Sequence, residues 1–396
     1  MLQNSSCFTP NLQPAGLYIH IPFCVKKCPY CDFYSITDGS LHPAFMDALV
    51  SEMRMTRAPN LTFDTLYMGG GTPSVLDAKT IGNIIETAHQ SYEILPHTEI
   101  TLEVNPGTVS LKQFEEYRCS GINRINIGVQ SFDPVNLQFL GRIHSGDDAQ
   151  AAVTWAQQAG FENLGLDLIY GIPNQTKKSW LRDLKLVIES EPRHLSCYIL
   201  SFEPGTPLYR DRQEGRLKPL AEPQVCELFE TTLEFLSDHG YVQYEISNFA
   251  RKSINSPSLK SAEFNRSRHN IKYWNFSPYI GLGPSAHSFL EPRRYWNCAD
   301  VEKYIQDLDA GRLPRAGEER LGMEQLMIEA IYLGLRQTTG ILIDVFDKKF
   351  GVTFKTMFEE IIANLEARCL IELSQNRCAL TSKGMLYLDS IAAMFT

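Results

Sequence analysis

Three cysteines on one short segment are the residues of this chain best suited to chemistry. Cys24, Cys28 and Cys31 follow a C-x3-C-x2-C spacing within YIHIPFCVKKCPYCDF, residues 18–33. Thiolates this close together can hold three irons of a [4Fe–4S] cluster, which four cysteines usually bind. The fourth iron would have no protein ligand from this motif. Such a centre keeps one coordination position open for a small molecule, as a catalytic zinc does.

Two other interpretations of the cysteines are weaker. A zinc site usually combines a C-x2-C segment with a second Cys or His pair downstream, and no such pair follows here. A chance group of buried thiols is also possible, but Lys26, Lys27, Pro29 and Asp32 make the loop polar and turn-rich. The other seven cysteines are scattered along the chain, and we interpret them as small buried apolar side chains.

Polar or glycine-rich segments follow the apolar stretches that could form strands. The second stretch runs into GGGTP at residues 69–73, and later ones lead to Glu103, Gln130, Asp167 and Ser201. Consecutive glycines allow backbone N–H groups to approach a ligand closely, although a glycine triplet can also be a plain tight turn. Because parallel α/β folds place their active sites at the carboxyl ends of strands, we expect these groups to share one site.

Alternating strands and helices are predicted to position these residues. We predict strands at residues 17–21, 65–68, 99–104, 124–129, 163–169 and 195–200. We predict helices at residues 43–57, 77–91, 111–120, 134–140, 147–159 and 178–190, two of which end at Gly121 and Gly160. This alternation indicates parallel βαβ units. Because six units are too few for a closed eight-stranded barrel, the predicted fold class is α/β with a partial (βα)6 barrel.

The predicted barrel, at residues 17–204, is one of four parts. Residues 1–16 are a polar lead-in, 205–317 a linker and extension, and 318–396 a winged-helix-like α+β domain. Within 205–317 we predict a helix at 225–239, a strand at 241–249 and a polar segment at 253–268. Within 318–396 we predict helices at 321–336, 343–350, 354–368 and 383–395, and a hairpin formed by 370–373 and 378–381. Winged helices often bind DNA, but the acidic balance of 318–396 favours a structural domain.

Composition excludes several classes of function. The 396 residues are 43% hydrophobic and carry a formal net charge of -9, which argues against nucleic-acid binding. No run of about 18 apolar residues suggests a membrane-spanning helix, and the N-terminus lacks the features of a signal peptide. We therefore expect a cytoplasmic protein whose thiols remain reduced.

The cysteine loop resembles that of the radical SAM superfamily, in which such a loop binds a [4Fe–4S] cluster chelated by S-adenosylmethionine. The motifs IHIPFC, CPYCDF, GGGTP, LEVNPG, NIGVQSF, LGRIH, DLIYGIPNQT and HNxxYW together resemble the oxygen-independent coproporphyrinogen III oxidase family, most of all its HemW branch. The resemblance extends from about residue 17 to about residue 289 and continues more weakly to the end. The combined set is specific, whereas each motif except the cysteine loop is weak alone.

The resemblance implies roles for individual residues. Cys24, Cys28 and Cys31 would hold the cluster. The residues implied to contact S-adenosylmethionine are Tyr18, Tyr30, Gly70, Gly71, Thr72, Glu103, Gln130, Arg142, Asp167 and Ser201. The chemistry agrees, since carboxylates pair with ribose hydroxyls, arginine with the ligand carboxylate, and tyrosine rings with adenine.

The HemW branch also carries an H-N-x-x-Y motif that has been connected with heme, matched here by His269, Asn270 and Tyr273. A histidine can ligate heme iron, and neighbouring aromatic rings can pack against the macrocycle. The alternative is that the aromatic residues pack a core and that His269 only makes a hydrogen bond.

Three functions follow from the resemblance: a heme chaperone that transfers heme to an acceptor hemoprotein, a coproporphyrinogen III oxidase, and a radical SAM enzyme with another substrate. The oxidases carry a further cysteine where this chain has Phe33, and a longer extension than the sixteen residues before the first strand. Both departures favour the chaperone. Membrane-bound respiratory proteins are candidate acceptors, which would place the protein peripherally at a membrane. The resemblance leaves open whether S-adenosylmethionine is cleaved and whether the protein is a homodimer.

Overall fold

The computed structural model of the chain describes residues 13–252, 262–263 and 265–395. Most of the predicted lead-in and part of the predicted polar segment at 253–268 therefore lie outside the described residues. In the first half, the strands and helices are β1 (Ala15–Ile21), α1 (His42–Met55), β2 (Thr62–Gly70), α2 (Ala78–Ser91), β3 (Glu93–Val104), α3 (Leu111–Cys119), β4 (Arg124–Gln130), α4 (Pro134–Phe139), α5 (Gly146–Gln158), β5 (Leu164–Tyr170), α6 (Lys177–Glu189) and β6 (His194–Ile199).

Strands β1 to β6 pair in parallel and in chain order. The predicted alternation of six strands with helices is therefore confirmed, although β3 begins earlier than expected, at Glu93. Successive side chains of a strand point to opposite faces. In β1, Leu17 and Ile19 belong to the apolar core, whereas Tyr18 and His20 contact aromatic rings on the other face. The inner face of this sheet is thus rich in polar and aromatic groups.

Side-chain caps begin the helices where the sequence has short polar residues. Asp77 accepts a hydrogen bond from the N–H of Thr80 at 2.7 Å, which starts α2. A capping box between Ser145 and Asp148 starts α5. Gly121 and Gly160 follow α3 and α5 with φ of 102° and 87°, as predicted for C-terminal caps.

The remaining elements extend the same sheet at both edges. They are α7 (Pro207–Gln213), α8 (Glu222–Asp238), β7 (Tyr241–Gln243), β8 (Asn248–Arg251), α9 (Arg268–Trp274), β9 (Tyr279–Leu282), β10 (His287–Leu290), β11 (Arg293–Asn297), α10 (Val301–Asp309) and β12 (Arg315–Arg320). Strand β9 pairs in parallel with β1, and β10, β11 and β12 continue antiparallel beyond it. The prediction of one strand at 241–249 is wrong, because this segment turns back on itself to form the antiparallel pair β7 and β8.

The C-terminal part combines helices with a small antiparallel sheet. Its elements are α11 (Met323–Arg336), β13 (Ile341–Leu342), α12 (Ile343–Phe350), α13 (Phe354–Met357), α14 (Glu359–Ala367), β14 (Ile371–Leu373), β15 (Arg377–Leu380), α15 (Ser382–Met385) and α16 (Leu388–Ala392). The sheet order is β13-β15-β14. Each of the helices predicted at 354–368 and 383–395 is interrupted, the first near Phe358 and the second near Tyr387.

One cluster of buried apolar side chains runs from Ala15 to Phe395 and joins the large sheet to the C-terminal part. Because this core is continuous, it marks no boundary between the four predicted parts of the chain, and their division stays a prediction. Within the described residues, no helix has both the length and the hydrophobicity that crossing a membrane requires.

Candidate cluster and cofactor site

The cysteine loop leaves the carboxyl end of β1 and closes on itself. Phe23 and Ile36 form an isolated parallel bridge, and the N–H of Cys24 donates to the carbonyl of Ile36 at 2.9 Å. The N–H of Ile36 in turn donates to the carbonyl of Pro22 at 2.7 Å. The three cysteines of the loop form no disulfide and are partly buried. The backbone thus fixes the base of the loop and leaves its thiols available as ligands.

The glycine segment after β2 holds this loop in place. The N–H groups of Gly71 and Thr72 donate to the carbonyls of Ile21 and Phe23 at 2.8 and 2.7 Å. A Cβ atom on Gly71 would lie only 2.6 Å from the carbonyl oxygen of Phe23, so a glycine is needed for this approach. These two N–H groups therefore have backbone partners within the protein, and the contact of Gly71 and Thr72 with S-adenosylmethionine stays a prediction.

Two side chains donate hydrogen bonds to cysteine sulfurs. Thr72 Oγ1 lies 3.4 Å from Cys24 Sγ, and Arg142 Nη1 lies 3.6 Å from Cys28 Sγ. Arg142 is held there by a second bond, from its Nη2 to the carbonyl of Gly128 at 2.8 Å. Hydrogen bonds to the sulfurs are among the features that tune an iron–sulfur cluster. This donor set therefore fits a cluster bound through the three thiolates.

The described residues contain no group of three or more His, Cys, Asp or Glu suited to a single metal ion. The sulfurs that hold a multi-iron cluster bind different irons and need not converge on one point. Burial raises the pKa of Cys31 to about 11. This thiol should therefore be protonated in the metal-free protein and release its proton when iron binds.

A cavity of about 410 Å³ lies beside the loop at the carboxyl ends of the strands. Nine of the ten residues predicted to contact S-adenosylmethionine line it, namely Tyr30, Gly70, Gly71, Thr72, Glu103, Gln130, Arg142, Asp167 and Ser201. Cys31 also lines the cavity, so the cysteine loop and the cavity adjoin. Tyr18 is not among the lining residues: its hydroxyl lies 3.0 Å from His20 Nδ1, and its ring stacks on Tyr67.

Three polar atoms of the lining residues are buried without a partner: Gln130 Oε1, Arg142 Nε and Asp167 Oδ1. Gln130 has a left-handed φ of 66° at a point where the pairing of β4 with β5 shifts register. Such a conformation is uncommon outside glycine and often occurs at functional sites. Because buried polar atoms are almost always hydrogen-bonded, the cavity is suited to a ligand with both donors and acceptors.

Two carboxylates give the cavity its electrostatic character. Burial raises the pKa of Glu103 to about 7, and its Oε1 accepts a hydrogen bond from the hydroxyl of Tyr67 at 2.7 Å. Burial also raises the pKa of Asp167, whose Oδ2 accepts a bond from Asn126 Nδ2 at 2.6 Å. A cationic ligand would favour the ionised form of both groups. The amine, sulfonium and ribose hydroxyls of S-adenosylmethionine match this arrangement.

The lining residues that sequence reasoning did not assign to the site include Asn105, Asn126 and Tyr198. Asn126 lies between the fully buried Ile125 and Ile127 of β4. A polar residue inside so apolar a strand is the signal that could have identified it, since buried polar groups need partners. Asn105 and Tyr198 carry no comparable local signal.

The predicted heme motif lies on α9, away from the cysteine loop. His269 is 1% exposed, and its ring stacks on Tyr67 with 5.0 Å between centroids. Its Nδ1 lies 2.8 Å from Thr65 Oγ1 and its Nε2 lies 2.9 Å from the hydroxyl of Tyr273. Both ring nitrogens are thus engaged, which agrees with the alternative of a hydrogen-bonded buried histidine. Asn270 contributes its backbone N–H to the Ser267 cap of α9.

The motif and the cysteine loop lie at opposite ends of β1. A Cβ atom on Gly16, near the start of β1, would lie 3.1 Å from the His269 ring, whereas the cysteine loop follows the end of this strand. The side chains of Tyr67 and His269 lie between the cavity carboxylate of Glu103 and the hydroxyl of Tyr273. Aromatic rings and hydrogen bonds therefore connect the two regions through the interior of the sheet.

Comparison with known proteins agrees with this architecture. The family model for the radical SAM superfamily matches residues 18–187, and the model for the HemN C-terminal domain matches residues 323–387. A heme chaperone HemW from Lactococcus lactis is 32% identical over 94% of each chain, and one from Bacillus subtilis is 31% identical over 96% of this chain and 98% of its own. The solved structure of coproporphyrinogen III oxidase (HemN) from Escherichia coli has a TM-score of 0.81 at 24% identity, covering 97% of this chain and 90% of that chain.

Proposed function

Because this chain belongs to the HemW family of radical SAM proteins, we propose that it is a heme chaperone that binds heme and transfers it to an acceptor hemoprotein. The observation that carries the proposal is the extent of the similarity. Relatives named heme chaperone HemW match this chain over 94% and 96% of its length, so the barrel, the extension and the C-terminal part are all included.

Phe33 favours the chaperone over the oxidase. This residue lines the cavity and is 62% exposed, at the position where the resemblance implies a cysteine in the oxidases. A phenyl ring can neither bind iron nor transfer a proton. The chain therefore lacks, at the mouth of the cavity, the cysteine that the resemblance implies for the oxidases.

We further propose that Cys24, Cys28 and Cys31 hold a [4Fe–4S] cluster and that the adjoining cavity holds S-adenosylmethionine. When bound, the cluster can supply one electron for cleavage of the sulfonium, which is the chemistry of this superfamily. Glu103 would accept a hydrogen bond from the ligand amine, and Arg142 would bridge the ligand and Cys28. In a chaperone, occupancy of this site would regulate heme transfer.

The acceptor and the location of the protein are part of the same proposal. We place the chaperone in the cytoplasm, in peripheral contact with a membrane where its acceptor is a membrane-bound respiratory hemoprotein. A homodimer would be the regulated form. Sedimentation of the protein with and without heme and S-adenosylmethionine tests the dimer, and co-sedimentation with membrane vesicles tests the peripheral contact.

An anaerobic heme titration of the cluster-reconstituted protein tests the central claim. We expect the absorption band of bound heme to saturate at a single heme per chain, and the bound heme to pass to an apo-hemoprotein on mixing. The same preparation is supplied with coproporphyrinogen III, S-adenosylmethionine and a reductant. Formation of protoporphyrinogen without saturable heme binding would reject the chaperone in favour of the oxidase.

A further inference from the structure

The interior of the barrel holds a cation one layer below the cavity beside the cysteine loop. Arg124, at the start of β4, is 1% exposed. Its side chain shares the inner face of the strand with Asn126, because alternate residues of a strand point the same way and the intervening Ile125 belongs to the apolar core. The pairing of β3 with β4 sets Arg124 beside Thr101 and Asn126 beside the cavity carboxylate of Glu103.

A glycine leaves room for the guanidinium of Arg124. A Cβ atom on Gly165 of β5 would lie 3.0 Å from Arg124 Nη2 and 2.4 Å from Asn126 Oδ1. It would also lie 3.3 Å from His194 Nδ1 on β6. Asn126 in turn donates from its Nδ2 to Asp167 Oδ2 at 2.6 Å. The guanidinium therefore lies next to the amide that holds the second cavity carboxylate.

Most of the guanidinium makes no hydrogen bond. Arg124 Nε and Nη1 are buried and have no partner among the described residues. A buried charge is costly unless opposite charges compensate it. Glu103 and Asp167 are opposite charges in the layer above, and Asp167 Oδ1 is itself unpartnered. Arg124 therefore acts on the carboxylates through space and leaves their oxygens open to the cavity.

The charge of Arg124 influences both cavity carboxylates. Burial raises the pKa of Glu103 and the pKa of Asp167, and the positive charge of Arg124 opposes the rise in each. The neighbouring histidines add no charge near neutral pH, because burial lowers the pKa of His194 well below its ordinary value and the pKa of His269 to about 3. Arg124 is thus the cation of this interior layer.

The other titratable side chains that face the two carboxylates keep one charge state near neutral pH. Burial raises the pKa of the tyrosines and of the cysteine among them above their ordinary values, and arginine is permanently charged. Glu99 lies on the same face of β3, but its Oε1 accepts a hydrogen bond from the backbone N–H of His269 at 3.2 Å, outside the cavity. The facing side chains are Tyr18, Tyr67, Arg142, Cys197, Tyr198 and Tyr273.

We propose that Arg124 is a positioning residue of the cofactor site, a buried counter-ion that keeps Glu103 and Asp167 ionised while the cavity is empty. The two carboxylates then meet a cationic ligand with their charge in place and their oxygens free, as in a preorganised electrostatic site. The inference rests on the proposed function, because the ligand is the S-adenosylmethionine proposed for this cavity. Arg124 itself does not line the cavity.

The pH dependence of S-adenosylmethionine affinity in the cluster-reconstituted protein tests this role. In Arg124→Gln and Arg124→Met, the midpoint of the affinity profile should move upward by about one pH unit, since a nearby opposite charge lowers a carboxyl pKa by about 1–3 units. Calorimetry should therefore show binding weakened about tenfold at pH 6 but within about twofold of the wild type at pH 9. Titration of the ligand itself is the same for every variant and cancels.

Two further variants separate charge from shape. Arg124→Lys keeps the positive charge and should restore the wild-type midpoint. Arg54→Gln removes an exposed arginine from α1 and should bind as the wild type does at every pH. Equal weakening at all pH values in both neutral variants would overturn the proposal. Failure of both neutral variants to fold, measured by thermal unfolding, would make Arg124 a structural residue and also overturn it.

Infrared titration of the metal-free protein distinguishes this inference from the function on which it rests. The absorption of protonated carboxyl groups is followed against pH with and without Glu103→Gln, so that the difference belongs to Glu103. Its midpoint should be higher in Arg124→Gln than in the wild type, and an unchanged midpoint overturns the proposal. If the midpoint moves as expected but the reconstituted wild type binds no S-adenosylmethionine, the cofactor proposal fails and the counter-ion role stands.

Discussion

Replacing Gly71 with alanine should displace the cysteine loop and impair cluster assembly. The added Cβ would lie 2.6 Å from the carbonyl oxygen of Phe23 and 2.9 Å from that of Ile21. Both are backbone atoms, so no side-chain rotation can relieve the overlap. Separation of the loop from β2 would break the hydrogen bonds donated by Gly71 and Thr72. At about 1 kcal/mol for each bond, we expect the free energy of unfolding to fall by about 2 kcal/mol.

Urea unfolding of the metal-free protein measures this loss, and iron and sulfide analysis after anaerobic reconstitution measures the cluster. Gly82→Ala, in helix α2, is the matched control, because its Cβ would lie an ordinary 3.5 Å from Ser120 Oγ. Alanine is favoured over glycine in a helix by about 1 kcal/mol, so the control should be at least as stable as the wild type. Wild-type stability with a full complement of iron in Gly71→Ala would refute the reasoning.

Three further predictions follow from the buried polar groups and the thiols. Burial raises the pKa of Glu52 from 4.5 to about 7. The folded protein therefore holds the proton of Glu52 more tightly than the unfolded chain does, and the resulting contribution to the free energy of unfolding is complete below pH 4.5 and is lost as the pH rises to about 7. The change is about 3 kcal/mol, at 1.36 kcal/mol per pH unit. The stability of Glu52→Gln relative to the wild type should therefore rise across this interval, and a constant difference in urea unfolding would contradict it. Glu103→Gln should weaken S-adenosylmethionine binding about tenfold or more, because hydrogen bonds to charged groups contribute about 1.5–3 kcal/mol; an unchanged Kd by calorimetry would exclude the contact. Cys28→Ala should lose the cluster, and wild-type iron and sulfide content would count against that role.

Local sequence patterns were sufficient to predict the strands and helices around the cavity beside the cysteine loop. The alternation of apolar stretches with helices predicted six parallel strands, and the carboxyl ends of parallel strands necessarily lie at one edge of a sheet. For that reason Glu103, Gln130 and Asp167, which are distant in sequence, were expected to share a site, and they line one cavity. Asn126 carried a local signal, as a polar residue within an apolar strand, but its hydrogen-bond partner Asp167 is brought beside it only by the pairing of β4 with β5.

Local patterns failed where the backbone used its groups in a way that depends on packing. The glycine triplet after β2 left open a ligand contact or a plain turn, and the N–H groups of Gly71 and Thr72 hold the cysteine loop. The segment at 241–249 alternates like one strand, but the chain reverses within it, and β8 pairs with both β7 and β6. In both cases the competing partner comes from a part of the chain that the local sequence does not contain.

The sequence by itself determined the cysteine loop, the family, the parallel strands and most of the residues around the adjoining cavity, because each depends on short motifs or on local periodicity. Only the tertiary structure decided where the H-N-x-x-Y motif lies and what it faces. Strand β9 pairs with β1 across more than 250 residues, and this pairing places His269 behind Tyr67. The packing of α11 and α16 against the neighbouring aromatic residues then creates a second cavity. Such long-range contacts are set by the packing of the whole chain, which no single motif encodes.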